Sequence, residues 1–366
     1  MLGSFLFEVK DHRRAQGTRY ELGYILMFAI MGILSGATSY RMIEVFIESK
    51  YDVLAELFKL NWKGRPAYTT IRKIIQGTDA DELEKSFRKY SKELAENEQE
   101  GEQIAIDGKV LRGSFDRFED QKAIQILSAF VSESQIILAH EEVESKTNEI
   151  PVAQRLIEEL GLTGKIFTLD AMHCQEETLN VAKDTGNDAV IQVKANQPTL
   201  LEDCQRVAET QVPDDTYQEA FNKTRNRIEQ RRVEVFWQPS LTHSDKWSAV
   251  EALIRVERFR QVFDTRTKEW KDTHEISFYI STSIFSAGTF CRVIRAHWGI
   301  ENRDHYARDV SLGEDSSRIR SNPAVFSCLR SFALNILRHN GISNVRLALF
   351  RNSMDIHHLL DYQGVL

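Results

Sequence analysis

The sequence predicts an α/β protein: a mixed sheet covered by helices, interrupted by a β-rich insertion and preceded by a helical domain. Three observations predict it. Residues 1–98 carry helical periodicity, and residues 99–198 give strand and helix signals in the order β-β-β-α-β-α-β. Residues 199–285 then turn to polar, strand-like runs before the helical pattern returns over 286–366.

In the first region, "SYRMIEVFIESKYDVLAELFKL" repeats apolar residues at threes and fours. "GRPAYTTIRKIIQGTD" reads as a turn and a short helix capped by Thr69 or Thr70, with a stop at Gly77. Arg65, Arg72 and Lys73 make that helix basic, either as a solvated face or as a surface for DNA phosphates. The apolar run at residues 22–37 falls short of the roughly 20 residues a membrane span needs and holds three glycines, so it reads as a buried helix. "EQEGEQ" is a charged linker. After it come three strand runs, "QIAIDGK", "KAIQILSAFVSE" and "QIILAHEEVE". A helix over 149–161 follows, with Pro151 in its first turn and Gly161 at its end. "KIFTLDA", "CQEETLNVAKDTG" and "DAVIQVKAN" complete the alternation as strand, helix and strand. "RIEQRRVEVFWQ", "SAVEALIRVERFR" and "EISFYISTS" supply the strands of the insertion.

Composition narrows the class without naming it. The chain has 366 residues, 42% hydrophobic and 28% charged, which is ordinary globular usage and enough for two or three domains. A net charge of -7, from 47 basic and 54 acidic residues, carries no global mark of a nucleic-acid partner. A DNA-binding reading must therefore rest on local basic patches. Four scattered cysteines lack zinc or redox spacing and point to a reduced, cytosolic protein. The start of the chain lacks a signal-peptide plan, because charged residues from Glu8 to Arg14 precede the apolar run.

Three carboxylates carry the chemistry. Asp107 follows the strand "IAI" and Asp170 follows "IFTL", the strand-end position where ligands of open α/β sheets gather. Each reads equally as a cap of the following turn or helix. Glu301 lies in the partly apolar stretch "WGIEN". Were the three to converge, their mutual repulsion would call for a cation, and an all-oxygen set selects Mg²⁺ or Mn²⁺ over zinc. The expected chemistry is phosphodiester hydrolysis or transfer. His297, Glu301, His305 and Asp309 recur at a spacing of four, one drifting stripe on an α-helix. One metal centre cannot reach all four. His297 and His305 read as groups that orient Glu301, hold phosphate or water, or serve as polar partners in the core. A di-iron or zinc stripe is the weakest alternative, because the residues after Glu301 lack the Glu-x-x-His pattern of di-iron bundles.

"IAIDGKVLRGS", "ESKTNEI", "TLDAMHCQEE", "VIQVKANQPTLLED" and "HWGIENRDHYARDVSLGEDSSRIRS" occur in that order. Together they resemble the ISAs family of bacterial insertion-sequence transposases, which includes the H-repeat-associated proteins. The likeness spans nearly the whole chain. "DHRRAQGTRYELGYIL" resembles that family's transposase-associated helical domain, and "SFALNILRHNG" its C-terminal helix. The resemblance implies a DDE catalytic core on an RNase H-like fold, with Asp107, Asp170 and Glu301 as catalytic and metal-binding acids. These acids lie 63 and 131 residues apart, which suits an insertion between the second and third. It also implies two Mg²⁺ ions (Mn²⁺ able to substitute), double-stranded DNA partners at the element's terminal repeats and at the target, and a homodimer or larger assembly on DNA. A catalytically inactive, repurposed DNA-binding relative is the alternative.

Candidate DNA contacts are Lys109, Arg112, Lys146, Lys194, Asn196, Arg227, Arg231, His297, His305 and Arg308. Lysine and arginine at strand ends suit phosphates, and Asn196 and Gln197 suit either sugar-phosphate contact or a loop cap. Lys223, Arg225, Arg227, Arg231 and Arg232 in and beside "RNRIEQRR" form the strongest basic patch, with a half-neutralised strand as the plainer reading. Arg225 and Asn226 replace a histidine and a glycine of the family's motif there. Many family members carry "LHWVLDV" where this chain has "DHYARDV", so Asp304 and Arg308 replace apolar residues on what reads as the outer face of the helix.

Overall fold

The computed structural model describes residues 1–14, 17–95, 101–115, 123–143, 148–224 and 226–366. The first half of the expected linker, together with Lys146 and Arg225, lies outside the described residues. The chain forms two compact units. One comprises residues 1–98, 108–148 and 300–366, and the other residues 99–107 and 149–299.

The first unit is mainly helical: α1 (Leu2–Leu6), α2 (Leu22–Leu34), α3 (Tyr40–Leu57), α4 (Tyr68–Gln76), α5 (Ala80–Leu94), α10 (Pro323–His339), α11 (Val345–Met354) and α12 (Ile356–Leu360). The apolar run of the sequence is α2, and 12 of its 13 residues are buried. A helix apolar all round must be enclosed by protein or lipid. None of the described helices is long and apolar enough to cross a membrane. Instead α2 packs against α10, α1 and α3. The Ser39 hydroxyl starts α3 by accepting from Met42 N at 3.3 Å, and Ile43, Phe46, Ile47 and Leu54 then line one buried face. Asp79 caps α5 through the amides of Asp81 and Glu82. The residue at the start of α4 is Ala67, not Thr69 or Thr70, because the helix begins before the threonines and takes them into its first turn.

A hairpin of β2 (Gln125–Val131) and β3 (Ile137–Val143) completes this unit. Asn335 of α10 fixes the hairpin by accepting from Ile137 N at 2.9 Å and donating to Ile137 O at 2.8 Å. Gly113, in the "LRGS" motif, is required by contact. A Cβ there would stand 1.7 Å from the Ser317 carbonyl oxygen.

The second unit holds a mixed sheet. β1 (Gln103–Val110, of which Gln103–Asp107 belong here), β4 (Ile166–Leu169) and β5 (Asp188–Val193) run parallel. β10 (Glu269–Ser281) pairs antiparallel with β5, and β9 (Ala252–Asp264), β8 (Arg227–Trp237) and β6 (Asp215–Gln218) follow in antiparallel order, with β7 (Asn222–Thr224) on β8. Helices α6 (Glu149–Leu160) and α7 (Glu176–Asp184) sit where the alternating pattern predicts them. Two expectations need correction. The strand bearing Asp107 does not end there but continues to Val110. The insertion also opens with a helix, α8 (Pro198–Thr210), with proline in its first turn and Leu200, Cys204 and Val207 buried at helical spacing.

Helix α9 (Ala287–His297) covers one face of this sheet. Its Phe290, Cys291, Val293 and Ile294 pack with Val233, Val235, Ala252, Ile254 and Val256. The alternation along β8 and β9 supplies one apolar face per strand.

Candidate active site

Two of the three acids follow from one pair of parallel strands. The β1–β4 ladder pairs Gln103 with Ile166 and Ala105 with Thr168. Asp107 lies two residues further along β1, and Asp170 directly follows Leu169, the last residue of β4. Period-two geometry puts Gln103, Ala105 and Asp107 on one face and Ile166, Thr168 and Asp170 on the same one. That face lies under α9. The buried Gln103 amide donates to Thr168 Oγ1 at 3.0 Å and to Val293 O at 2.8 Å. His297, the last residue of α9, places Nδ1 3.0 Å from the same Thr168 hydroxyl. That hydroxyl also accepts from Gln103, so His297 and Gln103 meet on one group of β4. Burial pushes the His297 pKa down to about 4, against the pull of Asp170 and with help from His173. His297 is therefore neutral at neutral pH.

Asp170 has the capping role that was its plainer reading, and keeps one oxygen outside it. Its Oδ1 accepts from Met172 N at 3.1 Å and starts the single turn Ala171–His173. His173 is buried, with Nε2 3.9 Å from Asp170 and 3.7 Å from Glu149. Those separations are electrostatic rather than hydrogen-bonded. The loop after β5 clasps this turn, because Asn196 donates to Ala171 O at 2.6 Å and Gln197 to Cys174 O at 2.8 Å. Asn196 and Gln197 thus take the loop-capping role. Lys194, beside them, is exposed and lines a groove of about 640 Å³ with Gln205, Arg255 and Ser277.

Glu301 belongs to the other unit, where it is exposed. It is not on a regular α-helix. Residues Ile300–His305 and Ala307–Ser311 are π-helical, with hydrogen bonds closing one residue later than in an α-helix. The stripe of four residues read on α-helical spacing therefore does not form as one. Asp304 and Arg308 face inward instead of outward, 0% and 1% exposed. Charged residues fill the inward positions that the family's leucines would occupy.

Arg308 is also not placed as a phosphate contact. It donates to Glu314 at 2.8 and 3.1 Å, to Ser331 Oγ at 3.1 Å and to Ser327. Lys109, buried on β1, is held by Asp309 and by Glu314 at 3.0 Å. Arg330 lies 3.5 Å from Glu314, and Arg338 3.2 Å from Asp304. Burial alone would raise the Glu314 carboxyl, but Arg308, Lys109 and Arg330 pull it well below the ordinary carboxylate range. Asp304 is likewise lowered against burial by Arg338 and Arg308. For Asp309 burial wins over Lys109, and its pKa is raised. Burial also lowers His305 against the pull of Asp304.

Three arginines of the expected basic patch of the insertion, Arg227, Arg231 and Arg232, pair with carboxylates. Arg227 pairs with Glu229 on its own strand. Arg231 pairs with Glu219 at 3.2 Å and with Glu229, which also accepts from Arg258 at 2.9 Å. Arg232 and Arg255 share Glu234 at 2.9 and 2.6 Å. Arg112, like Lys194, is open, 78% exposed and 3.6 Å from Asp315. The sequence reading missed Gln103, Thr168 and Glu149. The signal for the first two was their position, four residues before Asp107 and two before Asp170.

Residues 98–336 match the family model described as a transposase DDE domain, and residues 4–91 the one described as DDE_Tnp_1-associated. A putative transposase, YncI, of Escherichia coli O157:H7 is 30% identical over 341 residues, covering 91% of this chain and 86% of the relative. The H repeat-associated putative transposase YhhI of E. coli K12 is 28% identical over 360 residues, covering 96% and 94%. A solved piggyBac transposase synaptic complex with hairpin DNA superposes with a TM-score of 0.41 at 12% identity, covering 97% of this chain and 79% of that one. The chain belongs to the DDE transposase family, and the sequence relatives it matches include the H repeat-associated transposases.

Proposed function

We propose that this protein cuts the ends of its own insertion sequence and joins them to target DNA, using Asp107, Asp170 and Glu301 as the acids. The observation that carries the reading is the parallel β1–β4 ladder, which pairs Ala105 with Thr168, each two residues before one of the aspartates. Two carboxylates on adjacent parallel strands repel unless a cation lies between them, and their oxygen donors fit Mg²⁺ or Mn²⁺. Such ions supply charge neutralisation at the scissile phosphate and lower the pKa of an attacking water. Glu301, in the HWxIEN motif, completes the set. In the first step a water oxygen bonds to phosphorus and the 3′-oxygen leaves as a hydroxyl. In the second, that hydroxyl attacks a target phosphodiester in line and displaces its 3′-oxygen.

His297, neutral and tethered to Thr168, keeps α9 seated over the two aspartates. The Asn196 and Gln197 clasp holds the turn that follows Asp170. Lys194 and Arg112, both exposed, are the side chains best placed for DNA phosphates. Two element ends call for a homodimer or larger assembly on DNA.

The test is strand cleavage of DNA carrying the element's ends, with Mg²⁺, Mn²⁺ or EDTA, comparing wild type with Asp170→Asn and Glu301→Gln. Metal-dependent cleavage lost in both variants supports the reading. Specific binding without cleavage by wild type favours a repurposed DNA-binding protein. Cleavage surviving Glu301→Gln excludes Glu301 as the third acid.

A further inference from the structure

The first unit brings together three chemically different donors away from the catalytic acids. Glu84 of α5, His140 of β3 and Cys328 of α10 bring one ligand atom each within 4.8 Å of one another. A cavity of about 80 Å³ adjoins them, lined also by Asp81, Glu141 and Glu142. We propose that Glu84, His140 and Cys328 form a zinc-binding site whose fourth position is a water in that cavity.

The donor set selects the metal. Thiolate, imidazole and carboxylate together are zinc ligands, whereas magnesium takes oxygen alone. The geometry is close to what zinc needs. A tetrahedron with bonds of about 2.0–2.3 Å has edges of roughly 3.3–3.8 Å, and His140 Nδ1 now lies 3.0 Å from Glu84 Oε2. Small side-chain shifts open that space. Charge favours a cation, since Asp81, Glu84, Glu141 and Glu142 surround the cavity, and Arg88 balances two of them, at 3.1 Å from Glu84 and 2.5 Å from Glu141.

The support behind the histidine is already in place. His140 Nε2 lies 2.9 Å from Ser331 Oγ, and that hydroxyl has its own acceptor in Ser327 O at 3.2 Å. With the Ser331 proton on Ser327 O, Nε2–H donates to Ser331 and the Nδ1 lone pair faces the metal. Outer hydrogen bonds of this kind fix the tautomer of zinc-bound histidines. Without metal, Nδ1–H donates to Glu84 instead. Zinc binding then moves the imidazole proton from Nδ1 to Nε2 and releases the Cys328 thiol proton to solvent.

The test uses the purified full-length protein, stripped with EDTA and titrated with Co²⁺ and then Zn²⁺. One equivalent of cobalt should bind with a thiolate-to-cobalt charge-transfer band, and one equivalent of zinc should displace it. Cys328→Ala should abolish the band, and Ser331→Ala should weaken binding by about tenfold. Asp107→Asn should leave it unchanged, which separates this site from the catalytic acids. Absence of the band in wild type overturns the proposal, as does its persistence in Cys328→Ala. Should Cys328→Ala fail to fold, Glu84→Gln replaces it, and unchanged cobalt affinity there overturns the proposal equally.

Discussion

Glu314 is the position where a single atom change should cost most. Its carboxylate is 3% exposed and accepts two hydrogen bonds from Arg308, with Lys109 at 3.0 Å and Arg330 at 3.5 Å. Glu314→Gln keeps the shape and removes the charge. At an effective dielectric of about 20, each of the three pairs attracts by roughly 5 kcal/mol. Much of that is offset by the cost of taking four ions out of water, so the net worth of the cluster is small. Removing one member is different, because three buried cations then share less than one counter-charge each. Breaking such a buried arrangement costs about 3–5 kcal/mol, and that is the loss expected for Glu314→Gln in urea unfolding at neutral pH. Adding Lys109→Met should return part of it, because the excess positive charge falls by one. The double variant should be at least about 1 kcal/mol more stable than the sum of the two single effects.

The same residue sets an acid limit. The folded pKa of Glu314 lies well below its ordinary value of 4.5, so the unfolded chain takes up the proton first as pH falls. The contribution of Glu314 is complete above pH 4.5 and is lost as pH drops through the lower folded value. Glu314→Gln should flatten that part of the profile. A variant within 1 kcal/mol of wild type at neutral pH, with an unchanged acid slope, would refute the cluster as a set of ionised partners.

Other expectations follow from the site and its frame. Asp107→Asn and Asp170→Asn should each reduce metal-dependent strand cleavage to background without changing the unfolding midpoint by more than about 1 kcal/mol in ΔG, read by gel assay and circular dichroism. His297, with a folded pKa of about 4 against 6.5 ordinarily, binds fewer protons folded than unfolded between those values. Stability should therefore be full above about pH 6.5 and decline toward pH 4, and His297→Asn should flatten that decline in urea melts across the window. Asn196→Ala removes the 2.6 Å bond to Ala171 O. It should cost about 1 kcal/mol and lower the cleavage rate while leaving DNA binding intact in a gel-shift assay. Gly113→Ala forces a Cβ onto the Ser317 carbonyl and should destabilise by about 1–3 kcal/mol, measured by thermal melting.

What was legible in the sequence follows physical range. The β-β-β-α-β-α-β order could be read because period-two and period-3.6 patterns are local, and Pro151 and Gly161 mark one helix's ends. Asp107 and Asp170 could be singled out because each follows a mostly apolar strand run, "IAI" and "IFTL". Helix α8 had its own signal, Pro198 at the first turn and Leu200, Cys204 and Val207 at helical spacing, but it was masked by the polar residues between them. The neutralised patch on β8 was illegible for a different reason. Arg231 lies across from Arg258 in the β8–β9 register, and both converge on Glu229. That three-way arrangement exists only once two strands 27 residues apart in sequence are paired.

The stretch after α9 shows the limit most clearly. Spacing of four implies a shared face only if the backbone turns as an α-helix. Over Ile300–Ser311 the π-helical turn changes which residues share a face, and twelve residues of charged sequence contain no pattern that separates the two periods. Burial of Asp304 and Arg308 required partners at Arg338 and Glu314, respectively 34 and six residues further along. The hint was the replacement of two leucines of the family's pattern. Where an apolar slot acquires opposite charges four residues apart, the slot can stay buried if each charge finds a counter-ion, and solvation on an outer face is only the other option. A histidine, two carboxylates and a second histidine at intervals of four therefore do not share one task in this chain. His297 ties α9 to Thr168, Asp309 neutralises Lys109, and Glu301 stays exposed, the one carboxylate of the four positions with its surface open to a ligand.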